Sequence, residues 1–356
     1  MKKTALYEQH KKLNAKILPF SGYEMPITYP EGINYECSQI RNNVGIFDVS
    51  HMGQFRISGL KAEKFLQNIL INNISKINVG DAQYTALCNE QGGIIDDLIL
   101  YKENNSFLLI VNASNIEKNY NWIKSHIEED VIFENESDQY SLIAIQGPKS
   151  RDVIEKIFNI EVKNKFYSFI TCNYNNENLF ISRTGYTGEL GYELMGSNKA
   201  IVEIWEKCID LNVVPCGLAS RDILRIEMKY CLYGNDMNES ITPYESNLGW
   251  ITSLDKGDFI GKSSIVKKKN TRKLVGFKML ERGIPRKDYK ILIDGEIVGE
   301  VTSGTQSPTI NTGIGLGRIL HKNIKHGQEI EILIRNKKVK AQLYLEPFLD
   351  KTSLFS

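Results

Sequence analysis

Two adjacent carboxylates, Asp96 and Asp97, lie inside an apolar stretch, GGIIDDLILY, that is typical of a buried strand. An ionised carboxylate is costly to bury without a partner, so such a group is usually paired, protonated or used in chemistry. Because side chains alternate along a strand, the two aspartates should point to opposite faces and should not form an acid–base dyad. Either one of them faces a cavity, or both cap the turn at Gly92-Gly93, and the pattern leaves both interpretations open.

Two further segments carry residues suited to ligand binding. TGYTGELGYE has three glycines among tyrosines and glutamates, and this spacing suits tight turns that let a flat ligand approach the backbone. An ordinary β-turn would also explain these glycines. In CGLASRDILRIEMKY a helix is predicted to begin near residues 219–220, with Arg221 and Arg225 four residues apart on one face. Arginine suits bidentate carboxylate recognition, although pairing with a structural acid explains either arginine equally well.

Nucleophile and metal motifs are absent from the sequence around these segments. His51 stands alone and is interpreted as a structural residue. The six cysteines lie far apart, without the CxxC or Cys/His spacings of metal sites, and are expected to be reduced, buried thiols. We therefore predict no metal site.

The whole chain bounds the class of protein. Its 356 residues predict two or three domains, and 42% apolar with 24% charged residues is ordinary for a globular protein. A net charge of +1 gives no reason to expect nucleic-acid binding. No stretch approaches the roughly 20 apolar residues of a membrane span, and the N-terminus lacks the features of a targeting peptide. A cytoplasmic protein without a membrane partner is expected.

Helical and strand patterns occur in clusters without regular βαβ alternation, which favours an α+β fold. AQYTALC, GIIDDLILYKE and SFLLIVNAS predict an antiparallel meander. A basic stretch at 262–273 is typical of an exposed linker, and strand signals dominate 274–350, which predicts a small β-barrel or sandwich. Within it, Asp294-Gly295 and the RNKK segment predict hairpin turns. Helical spacing recurs at 65–74, 115–129, 150–158 and 200–211.

Ten segments, taken in order, closely resemble the aminomethyltransferase, or T-protein, family of the glycine cleavage system. They span residues 6–309, and the ordered set is far more specific than any one motif. The resemblance implies a folate-binding region of two mixed α/β subdomains at 1–265 and a C-terminal β-barrel at 266–356, arranged around a central folate cavity. The segments are LYEQH, FSGYEMPI, GIFDVSHMG, YTALCNEQGGIIDDLILY, IAIQGP, TGYTGELGYE, GLASRDILRIEMKYCLYGNDM, LGW, DFIGK and TSGTQSPT.

The resemblance also implies a reaction and its partners. Tetrahydrofolate, as co-substrate, would take a one-carbon unit from the aminomethyl-lipoyl arm of the H-protein and release ammonia. The alternative is a related folate-dependent demethylase that acts on a small sulfonium or amine substrate with the same fold. A folate-binding assembly factor for iron–sulfur proteins is less consistent with the sequence, because its KGCYxGQE-like motif is replaced by TGYTGELGYE.

Family roles are implied only where motifs match. Asp96 matches the essential carboxylate near the folate nitrogens and is expected to face the cavity, with Asp97 on the opposite side. Glu193 and Arg221 match ligand-binding positions. The C-terminal EPFLDKTSLFS departs from the family pattern, so the last ligand contact is not assigned. The segments that line the folate site contain Tyr84, Asn112, Tyr186, Tyr233 and Trp250.

Overall fold

The computed structural model describes residues 1–268, 272–320 and 324–356 of the chain. Two mixed α/β units and a closed barrel make up this part of the chain, which confirms the α+β class. The helices are α1 (Tyr7–Lys12), α2 (Ile33–Asn42), α3 (Ala62–Ile69), α4 (Ile116–Ser125), α5 (Ser150–Phe158), α6 (Asn198–Asp210), α7 (Leu218–Glu227) and α8 (Lys262–Lys267).

The strands fall into two open sheets, a two-stranded ribbon and the barrel. They are β1 (Lys16–Phe20), β2 (Tyr23–Thr28), β3 (Gly45–Asp48), β4 (Gly53–Ser58), β5 (Ala82–Cys88), β6 (Ile94–Lys102), β7 (Ser106–Val111), β8 (Ile132–Asn135), β9 (Tyr140–Gln146), β10 (Phe169–Tyr174), β11 (Glu177–Ser182), β12 (Gly191–Ser197), β13 (Val214–Pro215), β14 (Arg272–Met279), β15 (Lys290–Ile293), β16 (Glu296–Ser307), β17 (Thr312–Leu320), β18 (Glu329–Ile334) and β19 (Lys337–Tyr344).

The order of the strands follows the turn chemistry of the sequence. A six-stranded sheet has the order β10-β11-β12-β9-β3-β13, and a five-stranded sheet has the order β5-β6-β7-β4-β8, which confirms the predicted meander. The barrel closes in the order β14-β17-β16-β15-β18-β19. Both predicted hairpins are present in it, because Asp294-Gly295 and Arg335-Asn336 adopt the positive φ values, between 46° and 82°, that tight hairpin turns need.

The turn before β6 is built by residues other than the two aspartates. The backbone N–H of Gly93 donates to Asn89 Oδ1 at 2.9 Å, so Asn89 caps this turn and the interpretation of the aspartates as its caps was wrong. A Cβ at Gly93 would lie 1.7 Å from the carbonyl oxygen of Glu239, so only glycine fits there. The segment after α7 also accepts the N–H of Ile94, and it thereby fixes where β6 begins.

The basic stretch 262–273 is not simply a linker. Lys262–Lys267 form α8, and Ile265 on this helix is buried. Ser264 Oγ donates to the carbonyl of Glu90 at 2.8 Å, which attaches α8 to the turn between β5 and β6. Lys267 and Lys268 are exposed as expected, whereas Lys269 lies outside the described residues. The linker interpretation overlooked that SSIV supplies a buried side chain.

Helix α7 lies where the three units meet. One apolar cluster joins the two sheets and includes Phe47, Tyr101 and Leu224 of α7. A second cluster joins the five-stranded sheet to the barrel and includes Ile226 of α7 and Leu316 of β17. Since α7 contributes to both clusters, the position of the helix depends on all three units.

Candidate active site

The two faces of β6 have different surroundings. Asp96 lies on the face of Leu98 and Leu100, which packs in the core that contains α3 and Ile123 of α4. Asp97 lies on the face of Ile99 and Tyr101, which packs between the two sheets. The opposite directions predicted for the two aspartates are thus present. A register shift opposite Leu87 and Cys88 adds an extra residue just before Asp96, which strand alternation alone does not reveal.

Asp96 is enclosed by asparagine side chains. Its carboxylate is 0% exposed and accepts hydrogen bonds from Asn112 Nδ2 at 2.8 Å, Asn115 Nδ2 at 2.6 Å and Asn119 Nδ2 at 2.5 Å. The backbone N–H of Asn112 adds a fourth donor at 3.2 Å. Burial and the charge of Asp97 raise the pKa of Asp96, and the asparagine donors oppose that rise. The structure therefore corrects the expectation that Asp96 opens into a cavity.

Asp97 is the aspartate that faces aromatic side chains. It is half-buried, Tyr84 Oη donates to its Oδ2 at 2.8 Å, and Asn112 Nδ2 donates to its Oδ1 at 2.9 Å. Burial raises the pKa of Asp97, while the hydrogen bonds from Tyr84 and Asn112 oppose the rise. After burial, the charge of Asp97 contributes to the raised pKa values of Tyr84, Tyr167 and Tyr186. These hydroxyls therefore lie within electrostatic range of Asp97.

A second carboxylate, Glu193, approaches from the six-stranded sheet. It lies on β12, is 9% exposed and accepts a hydrogen bond from Thr184 Oγ1 at 2.5 Å. Thr184 Oγ1 also lies 3.3 Å from the hydroxyl of Tyr101. Because Tyr101 shares the β6 face of Asp97, this chain of contacts connects Glu193 to that face.

Arg221 lies in the first turns of α7 and presents an unsatisfied donor. Its Nη1 is buried and has no hydrogen-bond partner among the described residues. Its Cζ lies 4.9 Å from the ring centroid of Tyr186 and 5.8 Å from that of Phe47. Burial lowers the pKa of Arg221, and Glu193 and Tyr186 oppose that shift. A guanidinium stays charged in proteins, so its buried N–H group needs an acceptor that a ligand could provide.

Three other aromatic residues named from the sequence occupy separate positions. The ring of Tyr186 stacks on Tyr230 at 5.9 Å, and its hydroxyl donates to the carbonyl of Cys231. The hydroxyl of Tyr233 accepts from Lys118 Nζ at 2.7 Å. Trp250 is 71% exposed, with its ring 6.1 Å from that of Tyr84. Trp250 therefore lies at the outer edge of the site and Tyr186 lies within it.

The structure brings most of the predicted residues to one region. Arg221 interacts with both Glu193 and Tyr186. After burial and Asp97, Tyr186 also affects the pKa of Tyr84. Asn112 contacts both aspartates at 2.8 and 2.9 Å, whereas Asp96 stays behind it in the closed face. The resulting site combines one guanidinium, two carboxylates and several aromatic rings, which suits a flat, polar-edged ligand.

The glycines of TGYTGELGYE have a different use from the one expected. A Cβ at Gly185 would lie 2.1 Å from Gln146 Oε1, and a Cβ at Gly191 would lie 2.3 Å from Gln146 Nε2. Gly188 has φ +76° and lies against Met228. The space at these glycines is therefore filled by the protein's own side chains. The segment serves the site through Thr184, Tyr186 and Glu193.

Sequence reasoning missed Asn115 and Asn119. They follow Asn112 by three and seven residues, the spacing of one helical face, and this pattern could have indicated a set of amide donors near one acceptor. It also missed Thr184, whose hydroxyl orients Glu193. Nothing in the sequence around Thr184 distinguishes it from an ordinary turn residue.

Other expectations concern residues outside this region. The ring of His51 lies 5.6 Å from that of Phe20, and burial lowers the pKa of His51 to about 4, so it is a neutral packed residue near pH 7. The cysteines are free, and all but the half-buried Cys172 are buried. Within the described ranges, no three His, Cys, Asp or Glu side chains are grouped to hold a metal ion. None of the described helices has the length and apolarity to span a bilayer.

Comparisons with known proteins agree with the resemblance. Residues 6–256 match the family described as GCVT N-terminal domain, and residues 272–350 match the glycine cleavage T-protein C-terminal barrel domain. The aminomethyltransferase of Halothermothrix orenii is 44% identical over 98% of this chain and 100% of its own length. That of Thermosipho melanesiensis is 45% identical over 98% and 97%. The crystal structure of glycine cleavage system aminomethyltransferase T from Bartonella henselae superposes with a TM-score of 0.92 at 30% identity, covering 99% of both chains.

Proposed function

The chain belongs to the aminomethyltransferase family, the T-proteins of the glycine cleavage system, and from that membership we propose that it transfers a one-carbon unit from aminomethyl-lipoyl H-protein to tetrahydrofolate. Family membership makes it an enzyme of the aminomethyltransferase type. The choice of donor and acceptor is the proposal, and the chemistry of the site supports it.

The reaction exchanges bonds at one methylene carbon without oxidation. Its bonds to the lipoyl sulfur and to the amino nitrogen break, and bonds to N5 and N10 of tetrahydrofolate form. The two protons lost from the folate nitrogens go to the sulfur, which restores the dithiol, and to the nitrogen, which leaves as ammonia. The product is 5,10-methylenetetrahydrofolate. The folate supplies the nucleophiles, so the protein must bind, orient and manage protons.

The observation that carries this proposal is the buried, unpartnered Nη1 of Arg221 beside Glu193 and Tyr186. The polar edge of a pterin has N–H donors next to a carbonyl acceptor. A carboxylate can accept from the donors, and a guanidinium can donate to the carbonyl or to a folate carboxylate. Glu193 and Arg221 together match this edge, and the ring of Tyr186 offers a flat surface beside it.

We assign the reacting carboxylate to Asp97 in place of Asp96. Asp97 faces the same aromatic side chains as Glu193 and Arg221, and it is only half-buried. The reaction develops positive charge at the one-carbon unit and releases protons from folate nitrogens. A partly desolvated carboxylate stabilises the first and accepts the second. Asp96, which is 0% exposed behind Asn112, has no comparable access.

The remaining predicted residues would complete the folate site. Tyr84 orients Asp97 through its hydroxyl and lies against Trp250, so the two rings would flank the aromatic part of folate beyond the pterin. Asn112 holds Asp97, and the hydroxyl of Tyr233 lies 2.7 Å from Lys118 Nζ. The partners of this activity would be tetrahydrofolate and the lipoylated H-protein, and the expected location is the cytoplasm.

Ammonia release tests the proposal directly. The purified chain would be mixed with aminomethyl-lipoyl H-protein, with and without tetrahydrofolate, and both ammonia and methylenetetrahydrofolate would be quantified. We expect stoichiometric formation of both products only when carrier and folate are present. Glu193→Gln should reduce product formation at limiting folate, whereas Lys340→Gln on the exposed surface of the barrel should not.

The demethylase alternative predicts different products. Transfer from a small sulfonium would give a methylated folate without ammonia. The same assay with small methylated sulfonium and amine donors, read by mass spectrometry of the folate, separates the two activities. Turnover with such a donor, and none with the H-protein, would contradict the proposal.

A further inference from the structure

The Asn112 side chain joins the two aspartates, whose own side chains point to opposite faces of β6. Its Nδ2 donates to Asp96 Oδ1 at 2.8 Å and to Asp97 Oδ1 at 2.9 Å. The same Nδ2 lies 3.1 Å from the backbone carbonyl of Asp97, so both hydrogens of this amide are used on the two aspartates. Any change in the charge or position of Asp96 must act on Asp97 through this shared amide.

The donors are unequally divided between the two carboxylates. Asp96 accepts from four N–H groups, supplied by Asn112, Asn115 and Asn119. The side chain of Asp97 accepts from Tyr84 and Asn112 only, as far as the described residues show. Donors that point at a carboxylate favour its ionised form. These donors oppose the effects of burial and of the Asp97 charge, which raise the pKa of Asp96. On the hydrogen-bond geometry we assign the negative charge of the pair to Asp96 and the exchangeable proton to Asp97.

We propose that Asp96 is a positioning residue, a buried anion held by Asn112, Asn115 and Asn119 that keeps Asp97 oriented and ready to accept a proton. This inference rests on the proposed function, in which Asp97 accepts a proton from a folate nitrogen. A like charge nearby disfavours a second ionisation, so Asp97 becomes a stronger base than an isolated carboxylate. A stronger base takes the folate proton more readily near neutral pH.

Most other ionisable groups near Asp96 and Asp97 do not change their protonation in the pH range of the test. Burial raises the pKa of Tyr84, Tyr167, Tyr186, Cys231 and Tyr233, so these groups stay neutral between about pH 5 and 8. The charged neighbours are Asp236, which is paired with Arg225 at 2.7 Å, and Lys118, which donates to the carbonyl of Ile95 at 2.7 Å. The acid limb of a pH–rate profile should therefore report the two aspartates and Glu193, and only the part due to the aspartates should move in a variant of Asp96.

The test is the pH profile of kcat/KM for one-carbon transfer in Asp96→Asn. Asparagine keeps the shape of the side chain and removes its charge. We expect the acid limb to move down by about one to three pH units, the usual effect of a charge within about 4–6 Å on the pKa of a carboxyl group. The two carboxylates lie within this range because their Oδ1 atoms are 2.8 and 2.9 Å from the same Asn112 Nδ2. The plateau should fall by about tenfold or less, and the dissociation constant of tetrahydrofolate should change less than about threefold. A limb that does not move would overturn the inference, as would a large loss of kcat at every pH.

Asn115→Ser provides a second route if Asp96→Asn does not fold. Asn115 donates to Asp96 at 2.6 Å and makes no recorded contact with Asp97, so its loss weakens the anion at Asp96 only. The acid limb of the pH profile should again move to lower pH, by a smaller amount than in Asp96→Asn. An unchanged acid limb in Asn115→Ser would also contradict the inference. Asp97→Asn separates the two hypotheses. If Asp97→Asn keeps normal turnover and an unchanged acid limb of the pH profile, the role proposed for Asp97 fails. If Asp97→Asn is inactive and the acid limb of Asp96→Asn does not move, only the positioning role of Asp96 is refuted.

Discussion

The two faces of β6 carry the same residue type at adjacent positions and use it differently. On the helix-packed face Asp96 is 0% exposed and satisfied by asparagine donors, whereas on the inter-sheet face Asp97 is half-buried beside Tyr84. A closed, satisfied carboxylate holds charge in place, and a partly open one can exchange a proton. Function in this molecule therefore depends on which layers cover a strand face, and residue type alone does not decide it.

Helix α7 shows the same contrast with arginines. Arg225 is fully buried and bonded to Asp222, Asp236, Ser303 Oγ and the carbonyl of Tyr230. Arg221, one turn earlier, keeps a buried Nη1 without a partner among the described residues. Arg225 fixes α7 to the barrel, and Arg221 is left for a ligand. Three variants would break or sharpen these two contrasts, and a fourth tests the exposed basic stretch 262–273.

Asp97→Asn should have the largest effect. It keeps the size of the side chain but removes the carboxylate that faces the folate site. We expect turnover to fall by about 10²–10⁴-fold, the usual range for a positioned acid–base group, with little change in melting temperature. Steady-state kinetics with saturating folate and carrier would measure it, and Asp255→Asn, at an exposed position, serves as the control. Near-normal turnover in Asp97→Asn would place the reacting carboxylate elsewhere.

Arg225→Met should mainly destabilise the fold. Removing Arg225 takes away the guanidinium that pairs with the buried Asp236, a loss that typically lowers the free energy of unfolding by about 3–5 kcal/mol. Urea denaturation measures this change. The matched control is Lys290→Met, which breaks the exposed pair with Glu300 and should change stability by less than about 1 kcal/mol. Equal losses of unfolding free energy in the two variants would show that the buried ion pair contributes no more to stability than the exposed one.

Arg221→Ala should weaken folate binding and leave the fold intact. Loss of one charged hydrogen bond corresponds to about 1.5–3 kcal/mol of binding free energy, and Arg221→Lys should lose less because it keeps the charge. Fluorescence titration with tetrahydrofolate, together with urea denaturation, distinguishes this variant from Arg225→Met. Destabilisation without any change in folate affinity would make Arg221 a structural residue like Arg225.

Lys267→Glu should have the smallest effect. This variant tests whether the exposed charge of the basic stretch 262–273 attracts the carrier protein, in addition to the linker role expected from its composition. If it does, charge reversal should slow association with the H-protein by about two- to fivefold at low ionic strength and have no effect at high salt. Stopped-flow association rates at several salt concentrations would show this, with Lys340→Glu on the barrel as the control. A rate that does not depend on the variant at low salt would dismiss the steering role.

Much of the fold could be predicted because it depends on local patterns. The meander of β5, β6 and β7 follows from alternating apolar residues between short turns, and the Asp294-Gly295 hairpin follows from the backbone conformations that these residues tolerate. The 262–273 stretch was misread for the opposite reason. Its composition is polar, but the buried side chain of Ile265 has meaning only once the turn of β5 and β6 lies against it.

The sequence by itself determined the class of the fold, the family and the set of polar residues from which the site is drawn, because periodicity, turn chemistry and motif order are properties of neighbouring residues. The tertiary structure alone decided which members of that set are free to act. Strand alternation separates Asp96 from Asp97 but does not say which face α3 and α4 cover and which meets the six-stranded sheet. Likewise, the hydrogen bond from Arg225 to Ser303 Oγ joins residues that are 78 positions apart in the chain. Burial and hydrogen-bond partners arise from such long-range packing, and they determine whether a charged side chain stabilises the fold or binds a ligand.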